Sequence, residues 1–194
     1  MQLQHAYGPA SASEVSEKDL VERVKSGDQP ALEEIFHRYY DGLCRFTFSL
    51  THSRDDVEDL VQDIFVKIWA RRAFWNPKGS ISAYLFKAAR NQSINFLKSK
   101  KINSVSVFAD EESLPVEEKE DLIDEINDRD AVAAVSEAIR KLPERCRLVF
   151  TLNRQEGLTY SEIAEVLGIS EKTVENQISH ALKTLRKGLS GLLG

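Results

Sequence analysis

The fold of this chain is decided by its last third, residues 142–189, which read LPERCRLVFTLNRQEGLTYSEIAEVLGISEKTVENQISHALKTLRKGL. Thr159, followed three residues later by Glu162, is the signature of a capping box, which predicts that a helix starts there. Gly168 can end that helix, because glycine enters a left-handed turn without a steric penalty. Ser170 can then cap a second helix. The stretch therefore predicts a helix-turn-helix, the unit that places a helix in the major groove of DNA.

The second predicted helix has one apolar side and one polar side. Its apolar residues recur at spacings of three and four, and they are Val174, Ile178, Ala181, Leu182 and Leu185. Side chains on the polar side can read base edges or bind phosphates, and the candidates are Glu171, Lys172, Thr173, Glu175, Asn176, Gln177, His180 and Lys183. Because few of them are basic, we expect this unit alone to bind DNA weakly. A helical hairpin with no role in nucleic-acid binding is the alternative.

An acidic amphipathic helix is predicted in the N-terminal half, at residues 55–69, which read DDVEDLVQDIFVKIW. Its apolar residues repeat at spacings of three and four without a break. The opposite side carries mostly carboxylates, and its members are Asp55, Asp56, Glu58, Asp59, Gln62, Asp63 and Lys67. Such a face is either a solvated surface or a docking site for a basic partner.

A basic and aromatic segment follows directly. Residues 70–80, ARRAFWNPKGS, predict a loop, and residues 81–101 predict a helix that carries both cations and aromatic rings. Rings can stack on unpaired bases, which contributes roughly 1–3 kcal/mol per base, while the cations follow the phosphates. The segment is therefore a candidate for binding single-stranded nucleic acid. The alternative is that its rings belong to the core, and Tyr84 lies on a plausible packing side.

The net charge of −5 is divided unevenly along the chain. Residues 1–102 and residues 131–194 each carry +2, whereas residues 103–130 carry −9. A segment so acidic and so poor in aromatic residues cannot bury enough surface to fold alone, although a partly helical spacing near its end can belong to the next helix. We therefore predict an all-α chain of two small helical domains, with a flexible leader at 1–15, a first domain at 16–102, an acidic flexible linker at 103–130 and a second domain at 131–194.

Other function classes find no support in the sequence. No apolar run reaches the roughly 18 residues needed to cross a membrane, and the N-terminus lacks the pattern of a secretion signal. Cys44 and Cys146 are lone cysteines within apolar helical patterns, which predicts buried free thiols in a reducing cytoplasm. The four histidines show no ligand spacing, so we expect no metal and no cofactor. Without paired carboxylates beside a histidine or a phosphate-binding glycine loop, no enzyme is predicted.

Three motifs together resemble the sigma factors of bacterial RNA polymerase, in the extracytoplasmic-function (ECF) group. Residues 55–69 are similar to the helix of that family that binds core polymerase. Residues 79–98, GSISAYLFKAARNQSINFLK, are similar to its helix that meets the −10 promoter element. Residues 142–186 resemble its −35-reading domain almost throughout. The order and spacing of the motifs match the family, and their residues resemble the version found in Bacteroidetes.

The resemblance implies a sigma factor that binds core RNA polymerase, recognises the −10 and −35 elements of promoter DNA and aids DNA melting. The residues that dock on the clamp helices of the polymerase β′ subunit would be Asp56, Asp59, Gln62 and Asp63. The −10 residues would be Arg71, Arg72, Phe74, Trp75, Lys78, Ser80, Lys87, Arg90, Asn91 and Asn95. With the second domain on the β flap, the −35 residues would be Ser170, Glu171, Lys172, Thr173, Glu175, Asn176, His180 and Lys183.

The same resemblance implies a cytoplasmic protein that is held inactive by a membrane-associated anti-sigma factor. We expect a compact free form that shields Asp59 and Asp63, or the helix at 171–180, from a partner. A stand-alone regulator with a LuxR-like DNA-binding domain is the alternative, because it shares the helix-turn-helix. That alternative leaves the acidic helix and the basic aromatic segment unexplained.

Overall fold

The computed structural model describes residues 16–100 and 129–189, and it shows helices without strands in these ranges. The N-terminal unit consists of α1 (Glu17–Lys25), α2 (Gln29–Thr51), α3 (Arg54–Ala70), a short 3-10 turn (Arg72–Phe74) and α4 (Ile81–Ser99). The C-terminal unit consists of α5 (Arg129–Arg140), α6 (Glu144–Arg154), α7 (Tyr160–Leu167) and α8 (Glu171–Leu189). The predicted all-α architecture is confirmed.

Helix α2 is the centre of the N-terminal unit and packs against both α3 and α4. Pro30 lies in its first turn, where the missing N–H has no helical partner to lose. The predicted apolar face buries Ile35 and Leu43 completely. His52 ends the helix in the left-handed conformation, with φ at 51°. These local signals fix the length of α2 and aim its apolar face at α3 and α4.

Helices α3 and α4 start in different ways. Ser53 precedes α3, but its hydroxyl donates to the Asp56 carboxylate at 2.5 Å and does not cap the backbone. Ser80 caps α4, because its hydroxyl accepts the N–H of Ala83 at 3.1 Å. The carboxylate of Glu17 in α1 accepts a second N–H of the first turn of α4, that of Ile81, at 3.1 Å. The first turn of α4 is therefore held by its own cap and by α1.

The C-terminal unit contains the helix-turn-helix. Thr159 and Glu162 form the predicted capping box, with the Thr159 N–H donating to Glu162 at 2.9 Å and the Glu162 N–H donating to the Thr159 hydroxyl at 3.2 Å. Gly168 ends α7 with φ at 70°. The Ser170 hydroxyl accepts the N–H of Thr173 at 3.0 Å and so caps α8. The predicted helix-turn-helix is confirmed, with α7 and α8 as its two helices.

The two units share one continuous buried core, in which α7 packs against α4. Leu85 and Phe86 from α4 and Ile163 and Leu167 from α7 are fully buried. The sequence predicted two domains but no particular packing between them. The relative placement of the units is therefore a result of the tertiary structure.

The predicted segment boundaries can be compared with the structure only where it describes the residues. The leader at 1–15 and the acidic linker as far as residue 128 lie outside the described residues. Arg129 and Asp130, which the charge pattern assigned to the linker, begin α5 instead. This agrees with the partly helical spacing noted at the end of that segment. No helix in the described ranges is long and apolar enough to cross a membrane.

Candidate nucleic-acid interface

The acidic side of α3 borders an open groove. The groove is lined by Asp56, Asp59, Leu60, Gln62, Asp63, Val66 and Phe96. Val66 is 62% exposed, which leaves an apolar patch among the acids. Ser53 and Lys100 hydrogen-bond Asp56, which lowers the pKa of its carboxyl below the ordinary value. The four residues predicted to bind polymerase are thus brought together, around a patch that can pack against a partner.

The loop before α4 presents one aromatic ring and buries another. Phe74 is 90% exposed, as expected for a ring that can meet a base. Trp75 is only 4% exposed and lies edge-on to Tyr84, with ring centroids 6.0 Å apart. The ring of Trp75 completes the core beneath α4 and is not presented to a base in this conformation. Arg72 is held locally, 4.6 Å above the Trp69 ring, and donates to the Trp69 carbonyl.

The predicted −10 residues of α4 divide between two environments. Asn91 and Asn95 are exposed. Ser80, Lys87 and Arg90 recur at spacings of seven and three, which places them on one side of the helix, and this side faces α7. Among the rings, Phe86 is fully buried and packs edge-on to Phe46 at 5.3 Å. The alternative that some of these aromatics are core residues is therefore correct for Phe86.

The outer side of α8 is open along the predicted −35 residues. Glu171, Lys172, Glu175 and Asn176 are all exposed. Lys172 donates to Glu175 one helical turn away at 2.8 Å, so part of the small positive charge is neutralised within the helix. Thr173 is half-buried and joins Ser170 through their hydroxyls at 2.8 Å. The face is accessible to a duplex but offers little net attraction to phosphates.

One thiol lies beneath this helix. Cys146 of α6 is 3% exposed, and burial raises the pKa of its thiol. Its sulfur lies 2.8 Å from the Gln177 amide oxygen and 3.2 Å from Nδ1 of His180. Cys146 is a buried free thiol as predicted, whereas Cys44 is free but only half-buried. The link from α6 to His180 had no signal in the sequence.

The contacts between the start of α4 and the C-terminal unit centre on Glu162. One oxygen of its carboxylate accepts the N–H and the hydroxyl of Thr159, both at 2.9 Å, and the other accepts the hydroxyl of Ser80. Burial raises the pKa of Glu162, but the hydrogen bonds from Ser80 and Thr159 outweigh this and hold it below its ordinary value. The capping box of α7 is therefore also a bond between the two units.

Two more contacts join α4 to the helix-turn-helix. Lys87 donates to the Glu165 carboxylate at 2.5 Å, and both side chains remain about half exposed or more. A Cβ added to Gly168 would lie 3.3 Å from the guanidinium of Arg90, so Arg90 rests against the turn between α7 and α8. Three of the residues predicted to meet the −10 element therefore contact the C-terminal unit.

A fourth contact joins the side chain of Glu156 to α2. Arg45 donates to the Glu156 carboxylate at 3.1 Å, and the Glu156 side chain is only 9% exposed. The carboxylate rests directly on Gly42, where an added Cβ would lie 2.5 Å from it. Glu156 and Gly42 were missed by the sequence interpretation, because nothing in the local pattern marks a glycine in a helix as the seat of a distant carboxylate.

Comparison with known proteins decides the family. The sequence model of the family described as Sigma-70 region 2 matches residues 35–102, and the model described as Sigma-70, region 4 matches residues 133–185. Together they match more than half of the chain, in the order that the motifs predicted. The chain belongs to the sigma-70 family. It is a sigma factor, a non-enzymatic protein that recognises promoters for transcription initiation.

Curated relatives place this sigma factor near the ECF group. It is 29% identical over 191 residues to the RNA polymerase sigma-H factor of Pseudomonas aeruginosa, covering 91% of this chain and 95% of the relative. It is 27% identical over 183 residues to the ECF RNA polymerase sigma factor SigW of Bacillus subtilis, covering 90% of this chain and 97% of the relative. The match to region 2 accounts for the N-terminal unit, which a stand-alone regulator leaves unexplained.

Solved structures of similar fold agree. The sigma factor is similar to CnrH, solved in complex with the cytosolic domain of CnrY, with a TM-score of 0.53, 24% identity, and coverage of 90% of this chain and 97% of that one. It is also similar to RpoE of Bartonella quintana, solved with the anti-sigma factor NepR, with a TM-score of 0.51, 22% identity, and coverage of 81% and 96%. At these identities the likeness establishes the fold.

The expected shielding in the free sigma factor is corrected by the structure. Asp59, Asp63 and the outer residues of α8 are exposed, so the contact between the units covers neither of the faces that we expected. It covers the α7-facing side of α4 instead. Apolar residues of α4 and α7 share the core at this contact, and around it region 2 presents cations and a helix N-terminus where region 4 presents carboxylates.

Proposed function

We propose that this sigma factor docks on core RNA polymerase through the acidic side of α3, holds the melted −10 strand along α4 and its preceding loop, and reads the −35 duplex with α8. The observation that carries the proposal is the separation of three chemically distinct surfaces on one chain: an acidic groove, a basic helix beside an exposed ring, and an open recognition helix. Each surface has the chemistry that its task requires.

The acidic groove supports docking on a basic protein surface. Asp59 and Asp63 stand exposed beside Val66, so a partner can pair its cations with the acids while it covers the apolar patch. Such an arrangement is typical of interfaces, in which an apolar centre supplies the affinity and charges supply orientation. We assign the partner as the clamp helices of the polymerase β′ subunit, with region 4 on the β flap.

The loop and outer side of α4 support binding of a strand rather than a duplex. Phe74 is almost fully exposed, as a ring that stacks on an unpaired base must be. Arg71 and Lys78 are exposed on either side of it and can pair with the flanking phosphates. Extracting a base costs a few kcal/mol, so this site favours DNA that the polymerase has already begun to open.

The outer side of α8 supports sequence reading in the −35 groove. Lys172 and Asn176 are exposed near its N-terminal end, the part of a recognition helix that reaches base edges. The scarcity of free positive charge supports a division of work, in which polymerase provides affinity and the sigma factor provides specificity.

An anti-sigma factor is the proposed regulatory partner. The solved relatives with this fold include CnrH with CnrY and RpoE with NepR, each bound to a second protein. Such a partner would act before the sigma factor meets the polymerase, in the cytoplasm. The exposed acids of α3 are the surface that it would compete for.

Run-off transcription tests the proposal. Core polymerase from the source organism is assayed on genomic fragments with the wild type and with the double variant Asp59→Arg plus Asp63→Arg. We expect initiation at a defined subset of fragments, and a loss of roughly a hundredfold or more in the variant, because charge reversal makes the dock repulsive. The matched control is Glu22→Arg plus Glu33→Arg, which reverses two exposed carboxylates of α1 and α2.

The outcomes separate the alternatives. Full activity of the acidic-groove variant would place the polymerase dock elsewhere. If the protein fails to stimulate core polymerase but changes the output of complete holoenzyme, it acts as a stand-alone regulator.

A further inference from the structure

One side of α8 lies between its buried core and its open outer face. Gln177 is half-buried on this side, and His180, one turn further on, is exposed. Both side chains meet the thiol of Cys146 in α6, whose sulfur lies 2.8 Å from Oε1 of Gln177 and 3.2 Å from Nδ1 of His180. A buried thiol thus contacts two polar residues of the helix that we assign to the −35 groove.

The protons of these three groups can be placed one by one. A thiol has a single proton, so it can donate to only one of its two partners. The amide oxygen of Gln177 carries no hydrogen and can only accept, so the thiol proton belongs to this contact. The sulfur then has only lone pairs left, and its contact with His180 requires a hydrogen on Nδ1. Burial raises the pKa of the thiol, which keeps its proton in place at neutral pH.

The hydrogen on Nδ1 decides what the other nitrogen of His180 offers to DNA. In a neutral imidazole one nitrogen carries the hydrogen and the other carries a lone pair, so Nε2 is here an acceptor. In the major groove the donors on base edges are the exocyclic amines of adenine and cytosine. Phosphate oxygens are acceptors themselves, so a neutral His180 of this form cannot hydrogen-bond the DNA backbone.

We propose that Cys146 is a positioning residue for −35 recognition: it holds His180 with the hydrogen on Nδ1, so that Nε2 accepts a hydrogen bond from the amine of an adenine or a cytosine. The inference rests on the proposed function, in which the outer side of α8 reads the −35 duplex. His180 lies one turn beyond Asn176 and two turns beyond Lys172, and all three are exposed. The thiol is buried, so it acts through His180 and not on the base itself.

Nitrogen NMR of the full chain, with isotope-labelled histidines, measures the position of the hydrogen directly. The spectra are recorded at about pH 8, where histidine rings are neutral, and His180→Ala identifies the His180 signals among the four histidines. We expect the hydrogen on Nδ1 in the wild type and in Cys146→Ser, because a hydroxyl can donate and accept as the thiol does. In Cys146→Ala this form should no longer be the main one. A hydrogen on Nε2 in the wild type would overturn the inference, because the thiol would then donate to His180.

Transcription by the holoenzyme measures the effect on base preference. A promoter that responds in run-off transcription is randomised over its −35 element, and the transcripts that core polymerase makes with each variant are sequenced. We expect Cys146→Ala to lower the preference for adenine or cytosine at one position by about three- to tenfold, as His180→Ala does. The double variant should lose no more than either single variant, because both changes remove the same contact. Cys146→Ser should keep most of the preference.

Val149→Ala is the matched control for packing, since Val149 is a buried apolar residue of the same helix. Lost packing in α6 should lower the yield of transcript from every template and leave the preference among bases unchanged. If Cys146→Ala behaves in this way while His180→Ala loses the preference, the thiol is only a core residue and the inference is overturned.

Asn176→Ala separates a failure of the inference from a failure of the proposed function. If Asn176→Ala changes the base preference at the −35 element and His180→Ala does not, α8 reads the duplex without His180, and only the inference fails. If neither variant changes the preference, the outer side of α8 does not read that element, and the proposed placement fails together with the inference.

Discussion

Helices α4 and α8 are the two that the proposal assigns to promoter DNA, and they differ in what covers them. Helix α8 is packed on its inner side by α6 and α7, and its outer polar residues are exposed. Helix α4 is packed on its inner side by α2 and α3, and α7 lies on a further side of it. The chain thus leaves the outer side of α8 open, whereas α7 covers one side of α4.

The difference teaches that the more exposed of two faces need not be the one with the stronger attraction for anions. Lys87 and Ser80 have the better chemistry for phosphates, since a cation and a helix N-terminus lie in one row. In this structure Ser80 and Lys87 donate hydrogen bonds to the carboxylates of Glu162 and Glu165. The open face of α8 has weaker attraction, because Lys172 already pairs with Glu175. The row on α4 with the better chemistry for anions is therefore the one that already binds carboxylates of α7.

The inner side of α4 gives the largest expected effect. Phe86 is fully buried against Phe46, so Phe86→Ala should lower the free energy of unfolding by about 3–5 kcal/mol through lost burial and the cavity left behind. Phe74→Ala removes a ring of the same kind from an exposed position and should change the free energy of unfolding by less than about 0.5 kcal/mol. Urea unfolding measures both. Equal losses in the two variants would contradict the assignment of core and loop.

The turn between α7 and α8 gives the next effect. Gly168 has φ at 70°, so Gly168→Ala places a Cβ in the left-handed region, at a cost of about 1–2 kcal/mol. The added atom also presses on Arg90, which should loosen α7 from α4. Gly188→Ala, in a helix without positive φ, should show no loss of stability. The melting temperatures of the two variants separate the cost of backbone strain at Gly168 from the effect of adding a methyl group.

The capping box tests how far α7 depends on its own first turn. Thr159→Ala removes the acceptor of the Glu162 N–H and should lower stability by about 1 kcal/mol. Thr159→Ser keeps the hydroxyl and should restore most of the loss. Chemical denaturation of both variants checks the ranking. If Thr159→Ser is as unstable as Thr159→Ala, the hydroxyl is not the stabilising group.

The smallest expected effect is a pH dependence at Glu162. Its folded pKa lies below the ordinary value, so its contribution is present at neutral pH and is lost as the pH falls through about 4. The difference in unfolding free energy between the wild type and Glu162→Gln should therefore narrow from about pH 7 to about pH 3. Glu33→Gln serves as the reference at an exposed carboxylate. If the difference in unfolding free energy between the wild type and Glu162→Gln stays constant across that range, the charge of Glu162 has no partner in the folded state.

The candidate sites were predictable to different degrees. The groove on α3 could be predicted as a set, because Asp59 and Asp63 lie one turn apart and regular helical geometry brings them together. The outer side of α8 was predictable for the same reason. Trp75 could not be placed, since a loop has no period and only its contact with Tyr84 reveals that the ring is buried.

The sequence by itself determined the helices, their ends and the helix-turn-helix, because caps, left-handed glycines and apolar periods act between residues a few positions apart. Only the tertiary structure decided that α7 lies on α4 and that Glu156 rests on Gly42. Ser80 and Glu162 are 82 positions apart, and nothing in either local pattern refers to the other. Local signals choose the elements, whereas the approach of two complementary surfaces is set by charge and shape that form only after the elements have folded.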